Sequence, residues 1–235
     1  MVKVGERDME FTRLEYLIHD KIDDLHQKTV LILGLGGVGG YTVEALARSG
    51  IGHLILVDYD EVDITNINRQ VIATTKTIGK KKVDAWKDRI NEISPSCQVT
   101  TMLEKITEEN IEILFSLKVD FIVDACDTIP VKCKLIQSCL EKKIPLISSM
   151  GTANKLDPTK LEIIDIRKTS YDPIAKIIRN YVKKEHLKGK IPVVCSTEPS
   201  KKLDGKLGTI VTVPAVCGFL LAHYVLSFFL KENQK

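Results

Sequence analysis

None of the six cysteines (Cys97, Cys126, Cys133, Cys139, Cys195, Cys217) stands in a C-x-x-C pair. That absence excludes a zinc-knuckle spacing and a thioredoxin-type redox pair, and leaves packed thiols as the expectation. The chain also lacks a basic-then-apolar opening segment, because residues 1–24 are charged throughout; secretion is not indicated and the cytoplasm is the expected compartment. It has no internal repeat and no Gly/Ser linker. Nor does either sign of charge dominate: 34 Lys and Arg stand against 31 Asp and Glu. The distribution is less even. Residues 1–150 hold 19 Lys and Arg against 23 Asp and Glu, and residues 151–235 hold 15 against 8. A basic second half suits a polyanion such as RNA, or is an ordinary solvated lysine surface. At 235 residues with 44% hydrophobic content, the chain suits one large or two closely joined domains with a full core.

What is present centres on residues 29–40, TVLILGLGGVGG. Val30 to Leu33 read as a buried parallel strand, Gly34, Gly36 and Gly39 fill G-x-G-x-x-G, and Val43, Leu46 and Ala47 give the following helix its buried stripe. The first glycine permits a tight turn, the second lets backbone approach a phosphate, and the third lets helix and strand pack closely. Asp58 ends the next apolar run, His53 to Val57, where a carboxylate can accept the ribose hydroxyls.

An amphipathic helix is expected from Phe11 to Leu25. The polar stretch 59–70, YDEVDITNINRQ, is a functional loop in character. Gly79 is expected to open a helix with Lys80, Lys81 and Lys82 in its first turn, the wrong end of the dipole for cations, which suggests a nearby anion or a solvated lysine run. Strands are expected from Cys97 to Met102 and Val119 to Ala125, with a helix capped by Thr107 between them. Asp127, just past a strand end, is placed to meet the phosphates through Mg²⁺, or caps the helix after Pro130. A helix from Val131 to Glu141 and a strand from Ile144 to Ser148 follow. After Gly151 come a strand (Leu161 to Ile166), a basic helix (Pro173 to Lys184), a strand (Val193 to Thr197) and a polar loop (Glu198 to Gly208). The uncharged run from Thr209 to Leu230 is long enough to consider as a membrane span. Pro214 divides it into a β-like piece and a helix, so a buried or subunit-contact helix is expected instead.

G-x-G-G-V-G, Asp58-Tyr-Asp60, Thr65-Asn66-Ile67-Asn68-Arg69-Gln70, Lys82 and Asp124-Ala-Cys-Asp127 together resemble the ubiquitin-activating-enzyme-like (ThiF/MoeB/HesA) adenylating enzymes, over residues 13–229. Within that superfamily the I-P-L-I-S-S-M-G-T segment, Asp157-Pro158, Asp172-Pro173 and Cys195-Ser-Thr-Glu198 are most similar to the tRNA threonylcarbamoyladenosine dehydratase branch. The resemblance implies an α/β fold: a Rossmann-like, mostly parallel sheet flanked by helices, with an irregular mixed C-terminal half. It would comprise an N-terminal helical segment (1–28), an ATP-binding region (29–150) and a substrate-binding and dimerisation region (151–235). Gly34, Gly36, Gly37 and Gly39 would face ATP, with Asp58 at the ribose, Asp60 also binding the nucleotide, Asn66, Arg69 and Lys82 at the triphosphate, and Asp127 holding Mg²⁺; Arg13, Arg69, Lys82 and Asp127 would be the catalytic residues. Arg13 would reach the ATP of the other subunit of a homodimer.

The implied reaction is ligase-like adenylation of a tRNA-borne carboxylate beside the anticodon, followed by intramolecular ring closure with loss of AMP. Ring closure gains effective molarity without a protein nucleophile. Cys195 and Cys217 are therefore read as packed thiols rather than thioester formers. The resemblance leaves open a monovalent cation and a sulfur-transfer or redox protein as further partners, and the missing C-x-x-C pairs imply no structural zinc. The alternative is adenylation of a small sulfur-carrier protein's C-terminal carboxylate. An NAD-dependent oxidoreductase would use the same glycines and Asp58 but leaves Arg69, Lys82 and Asp127 without a role. A nucleotide-sensing module would bind ATP without catalysis.

Overall fold

The computed structural model describes residues 9–232, so the outermost ends of the expected N- and C-terminal regions, 1–8 and 233–235, lie outside the described residues. The apolar runs become strands β1 (Thr29–Leu33), β2 (His53–Val57), β3 (Gln98–Met102), β4 (Phe121–Asp124), β5 (Leu146–Ser149), β6 (Leu161–Asp165) and β7 (Pro192–Ser196). They form one sheet in the order β3-β2-β1-β4-β5-β7-β6. All neighbours are parallel except the edge pair β6 and β7. The fold is thus the expected α/β architecture, and its second half is mixed because β6 runs back along β7.

Residues of β1 alternate between two apolar layers, as a doubly covered strand must. Val30 and Ile32 pack with Leu54, Trp86 and the C-terminal helix; Leu31 and Leu33 pack with Ile55, Ile122, Leu135 and Ile136. Helices α3 (Gly37–Ala47), α4 (Lys82–Ile93) and α7 (Thr212–Glu232) cover the first face, and α5 (Ile129–Lys142) and α6 (Pro173–Lys184) the second. The strand order reverses between β1 and β4, which opens a crevice beyond their carboxyl ends.

The uncharged C-terminal run is one core helix. Val213, Cys217, Leu221, Ala222, Val225 and Phe229 of α7 are buried, and Thr42 Oγ1 of α3 donates to the Gly218 carbonyl at 3.1 Å. α7 is long and apolar enough to cross a membrane by length and composition, yet half of it is buried in the fold. The expected β-like piece before it does not form. The Thr209 carbonyl accepts instead from Asn68 Nδ2 at 3.0 Å, and Pro214 falls in the first turn of α7, where its missing N–H has no intrahelical partner to lose.

Three other expectations are corrected. The N-terminal stripe is two short helices, α1 (Thr12–Ile18) and α2 (Lys21–His26), separated at His19 by a positive φ of 54°. Ile22 and Leu25 are buried, whereas Tyr16 and Leu17 stay exposed. The helix expected after Thr107 is only a 3-10 turn from Ile111 to Ser116, because the Asn110 side chain accepts from Thr107 N–H at 2.7 Å and closes a local turn there. Finally, α4 starts at Lys82 rather than Gly79. Gly79 occupies a positive-φ turn (82°) and Lys81 bridges Glu61 in extended form, so Lys80 and Lys81 precede the helix.

Candidate active site

The three motif glycines meet three different constraints. Gly34 has φ +88°, and a Cβ there would lie 2.8 Å from the Ala125 carbonyl oxygen. Gly36, which precedes the first turn of α3, is open: the nearest atom to a Cβ would be Gln70 Nε2 at 3.9 Å. At Gly39 a Cβ would run into the Gly34 carbonyl oxygen. No side chain caps α3, so its first N–H groups are available to an anion.

Beyond this turn lies a cavity of about 790 Å³. It brings together Gly34, Gly36, Gly37, Asp58, Asp60, Asn66, Arg69, Lys82 and Asp127. Gly39 sits within α3, and Arg13 lies exposed on α1, outside the cavity lining. Asp58 is fixed by two backbone donors, Leu35 N–H to Oδ2 at 2.6 Å and Asp60 N–H to Oδ1 at 2.8 Å. Each oxygen keeps a lone pair for a further donor. Lys82 is buried, with Nζ 2.7 Å from Asp60 and 4.0 Å from Asp58. Lys81 pairs with Glu61 at 2.8 Å and Lys80 with Asp88 at 3.6 Å. Each of the three lysines has a carboxylate partner, and only Lys82 stands in the helix's first turn and lines the cavity.

Asp63 and Asn66 form a capping box: Thr65 N–H donates to Asp63 Oδ1 at 2.8 Å and Asp63 N–H to Asn66 Oδ1 at 3.2 Å. Arg69 donates to the Thr65 carbonyl at 2.7 Å and to Asn68 Oδ1 at 2.9 Å, and its Cγ would lie 3.5 Å from a Cβ on Gly37. Asp127 does not cap α5, whose N-cap residue is Thr128 with no side-chain capping bond. Asp127 is exposed at the cavity wall. The carboxylates converge on Tyr59, whose phenol is raised above its ordinary pKa by Asp60 first, then by burial, Asp127 and Asp58.

Lys132 and Gln70 also line the cavity, although the sequence assigned neither a role. Lys132 is buried, with Nζ 3.1 Å from Asp124 Oδ2, 2.9 Å from the Ser149 carbonyl and 3.3 Å from Ser148 Oγ. Burial, the largest single influence, would lower its pKa, but the charge of Asp124, the nearby Cys126 and the hydrogen bond to Asp124 together outweigh burial and raise it. Asp124 Oδ1 accepts in turn from Cys126 N–H at 3.2 Å, so Lys132 ties the ends of β4 and β5 to the cavity wall. A signal existed: Lys132 shares the helix stripe of Leu135, Ile136 and Cys139, where an unpaired lysine has no place. Gln70 is the second; it is buried, and its Oε1 has no hydrogen-bond partner. Cys195 and Cys217 are buried away from the cavity lining, with thiols pushed by burial up to about 12. That suits packed thiols and not nucleophiles.

Six carboxylates (Asp58, Asp60, Glu61, Asp63, Glu104, Asp127) and three cations (Arg69, Lys82, Lys132) line the cavity. Among the described residues no group of three or more His, Cys, Asp or Glu could hold a metal ion. Asp127 on its own fits the way Mg²⁺ is held by one or two carboxylates together with substrate phosphates.

Residues 10–235 match the ThiF family. The chain belongs to that family. It is 41% identical to the tRNA threonylcarbamoyladenosine dehydratase of Bacillus subtilis (strain 168), over 95% of each chain. It is 38% identical to the enzyme of the same name from Haemophilus influenzae, over 91% of this chain and 90% of the relative. The solved structure of E. coli tRNA N6-threonylcarbamoyladenosine dehydratase, TcdA, in complex with ATP superposes with a TM-score of 0.90 at 32% identity, covering 96% of both chains.

Proposed function

We propose that this ThiF-family chain is an ATP-dependent tRNA threonylcarbamoyladenosine dehydratase. The observation that carries the reading is the gathering of Asp58, Asn66, Arg69, Lys82 and Asp127 around an uncapped, glycine-opened helix start at the β1/β4 crevice. Full-length similarity to dehydratases supports the substrate. ATP would lie with its phosphates toward Gly36 and Gly37 and its ribose toward Asp58. The substrate carboxylate attacks the α-phosphorus, pyrophosphate leaves, and Arg69, Lys82 and Asn66 stabilise the charge that develops on the phosphate oxygens. When bound, Mg²⁺ at Asp127 would neutralise phosphate charge. The carbamoyl group of the same nucleoside then closes on the activated carbonyl and expels AMP, a step that needs correct placement and no cysteine.

A cavity with twice as many carboxylates as cations is a poor site for a triphosphate by itself. That imbalance favours both Mg²⁺ and a further cation from outside the chain. Arg13 of a second copy is the proposed source; α1 leaves Tyr16 and Leu17 exposed, and α7 leaves Phe219 exposed, as a homodimer contact would. In this reading residues 151–235 serve substrate binding and dimerisation, and the compartment is the cytoplasm. A monovalent cation and a sulfur-transfer or redox partner rest on family resemblance alone. Adenylation of a carrier protein would use the same cavity but not the basic second half.

The test is pyrophosphate release by purified protein. Release should require tRNA bearing threonylcarbamoyladenosine, and a mixture of inactive Arg13→Ala and Asp127→Ala proteins should recover part of it through composite sites. Release driven by a Gly-Gly-tailed carrier and not by tRNA would reverse the assignment.

A further inference from the structure

Asn154 lies between Ala153, which lines the cavity, and Lys155, whose ammonium is buried against Asp172 and the Gly151 carbonyl, both at 2.8 Å. Its backbone is left-handed (φ 61°), a conformation asparagine tolerates better than most residues. Every polar group of Asn154 is spent on one distant segment. Its N–H donates to the Gly208 carbonyl at 2.8 Å, and its carbonyl accepts from Lys201 N–H at 2.8 Å. Its Oδ1 accepts from Gly208 N–H at 2.6 Å, and its Nδ2 donates to the Lys206 carbonyl at 3.3 Å.

The segment so held, residues 201–207, is exposed throughout and carries Lys201, Lys202 and Lys206 against one carboxylate, Asp204. Its last residue, Leu207, and Thr209 just past it line the cavity, and the Thr209 carbonyl is bonded to Asn68, the neighbour of Arg69. A lysine-bearing loop is therefore fastened at both feet to the rim of the nucleotide cavity. A loop of this composition would otherwise be free, and ordering it at the moment of binding would weaken binding.

We infer that the loop from Lys201 to Gly208 grips the RNA backbone beside the nucleotide that enters the cavity, and that Asn154 is the positioning residue that holds it there. The inference rests on the tRNA reading above. Three ammonium groups on a short exposed loop can neutralise successive phosphates, and Leu207, 81% exposed at the mouth, offers an apolar face to a base.

The experiment compares wild type with the triple variant Lys201→Ala/Lys202→Ala/Lys206→Ala, and with Asn154→Gly and Asn154→Asp. Asn154→Gly keeps the left-handed backbone and removes both side-chain bonds; Asn154→Asp restores the acceptor for Gly208. The triple variant should raise the KM for modified tRNA about tenfold with kcat little changed. It should also flatten the plot of log binding constant against log salt by about 2, at roughly 0.7 per single-strand phosphate. Asn154→Gly should raise the same KM about fivefold, keep the wild-type salt slope because the lysines are still present, and speed tryptic cleavage after the loop lysines. Asn154→Asp should recover part of both effects. A triple variant with wild-type KM and slope overturns the RNA contact. Faster cleavage in Asn154→Gly with unaltered KM overturns the positioning role. Failure of the dehydratase reading would show separately, as absence of cyclisation by the wild type, while direct RNA binding at several salt concentrations still reports on the loop.

Discussion

Replacing Lys132 by methionine tests the packing of the site wall. Asp124 is fully buried, and the Lys132 ammonium at 3.1 Å is the opposite charge paired with it. With that partner gone, Asp124 keeps hydrogen bonds from Ser148 Oγ (2.6 Å) and Cys126 N–H (3.2 Å) but no counter-charge. Breaking a buried pair on one side costs about 3–5 kcal/mol. For a chain of this size about 2–4 °C of melting temperature corresponds to each kcal/mol, so Lys132→Met should melt roughly 6–20 °C below wild type. The double variant Asp124→Asn/Lys132→Met, which buries no charge, should recover at least half of that loss. Thermal denaturation followed by circular dichroism reads both. A single variant within about 2 °C of wild type, or a double variant no better than the single, would show that the Asp124–Lys132 pair does not hold the wall together.

Gly36→Ala has room for its methyl group and should fold normally while ATP affinity falls at least about tenfold by calorimetry; Gly39→Ala, which collides with the Gly34 carbonyl, should give little soluble protein. Cys195→Ser and Cys217→Ser should retain tRNA-dependent pyrophosphate release, and neither thiol should be alkylated by iodoacetamide in folded protein at mildly alkaline pH, as read by mass spectrometry. Burial tends to raise the Glu44 pKa, but the hydrogen bonds and charges of Arg89 and Arg48 together outweigh it and hold the carboxyl below its ordinary value. Its stabilising contribution is therefore complete at neutral pH and lost as pH falls below about 4.3. Urea midpoints should fall less between neutral and acid pH for Glu44→Gln than for wild type.

Much of the site was legible because backbone sterics leave few choices. Gly34 and Gly39 are positions where a Cβ collides with backbone, and such constraints survive in the sequence as glycine at fixed spacing. Asp58 and Asp127 were legible for another reason: a carboxylate just past an apolar run marks a strand end, and in a parallel sheet those ends share one crevice. Lys80 and Lys81 were misplaced in the helix because the turn at Gly79 and their carboxylate partners distant in sequence, Asp88 and Glu61, are set by the fold and not by local pattern. The N-terminal stripe misled because its apolar residues face two environments on either side of His19. Asn154 carried no local signal at all. Its importance arises from hydrogen bonds to residues 47 or more positions away, which only the tertiary structure brings within reach.

The dehydratase assignment is decided on the RNA itself. Purified protein is incubated with ATP, Mg²⁺ and tRNA carrying threonylcarbamoyladenosine, and the digested nucleosides are resolved by mass spectrometry. The account predicts conversion of the modified nucleoside to a cyclic form lighter by one water, with AMP and pyrophosphate formed in equal amounts and no product when Asp127→Ala replaces the wild type. An unchanged nucleoside in the presence of folded, ATP-binding protein would contradict it.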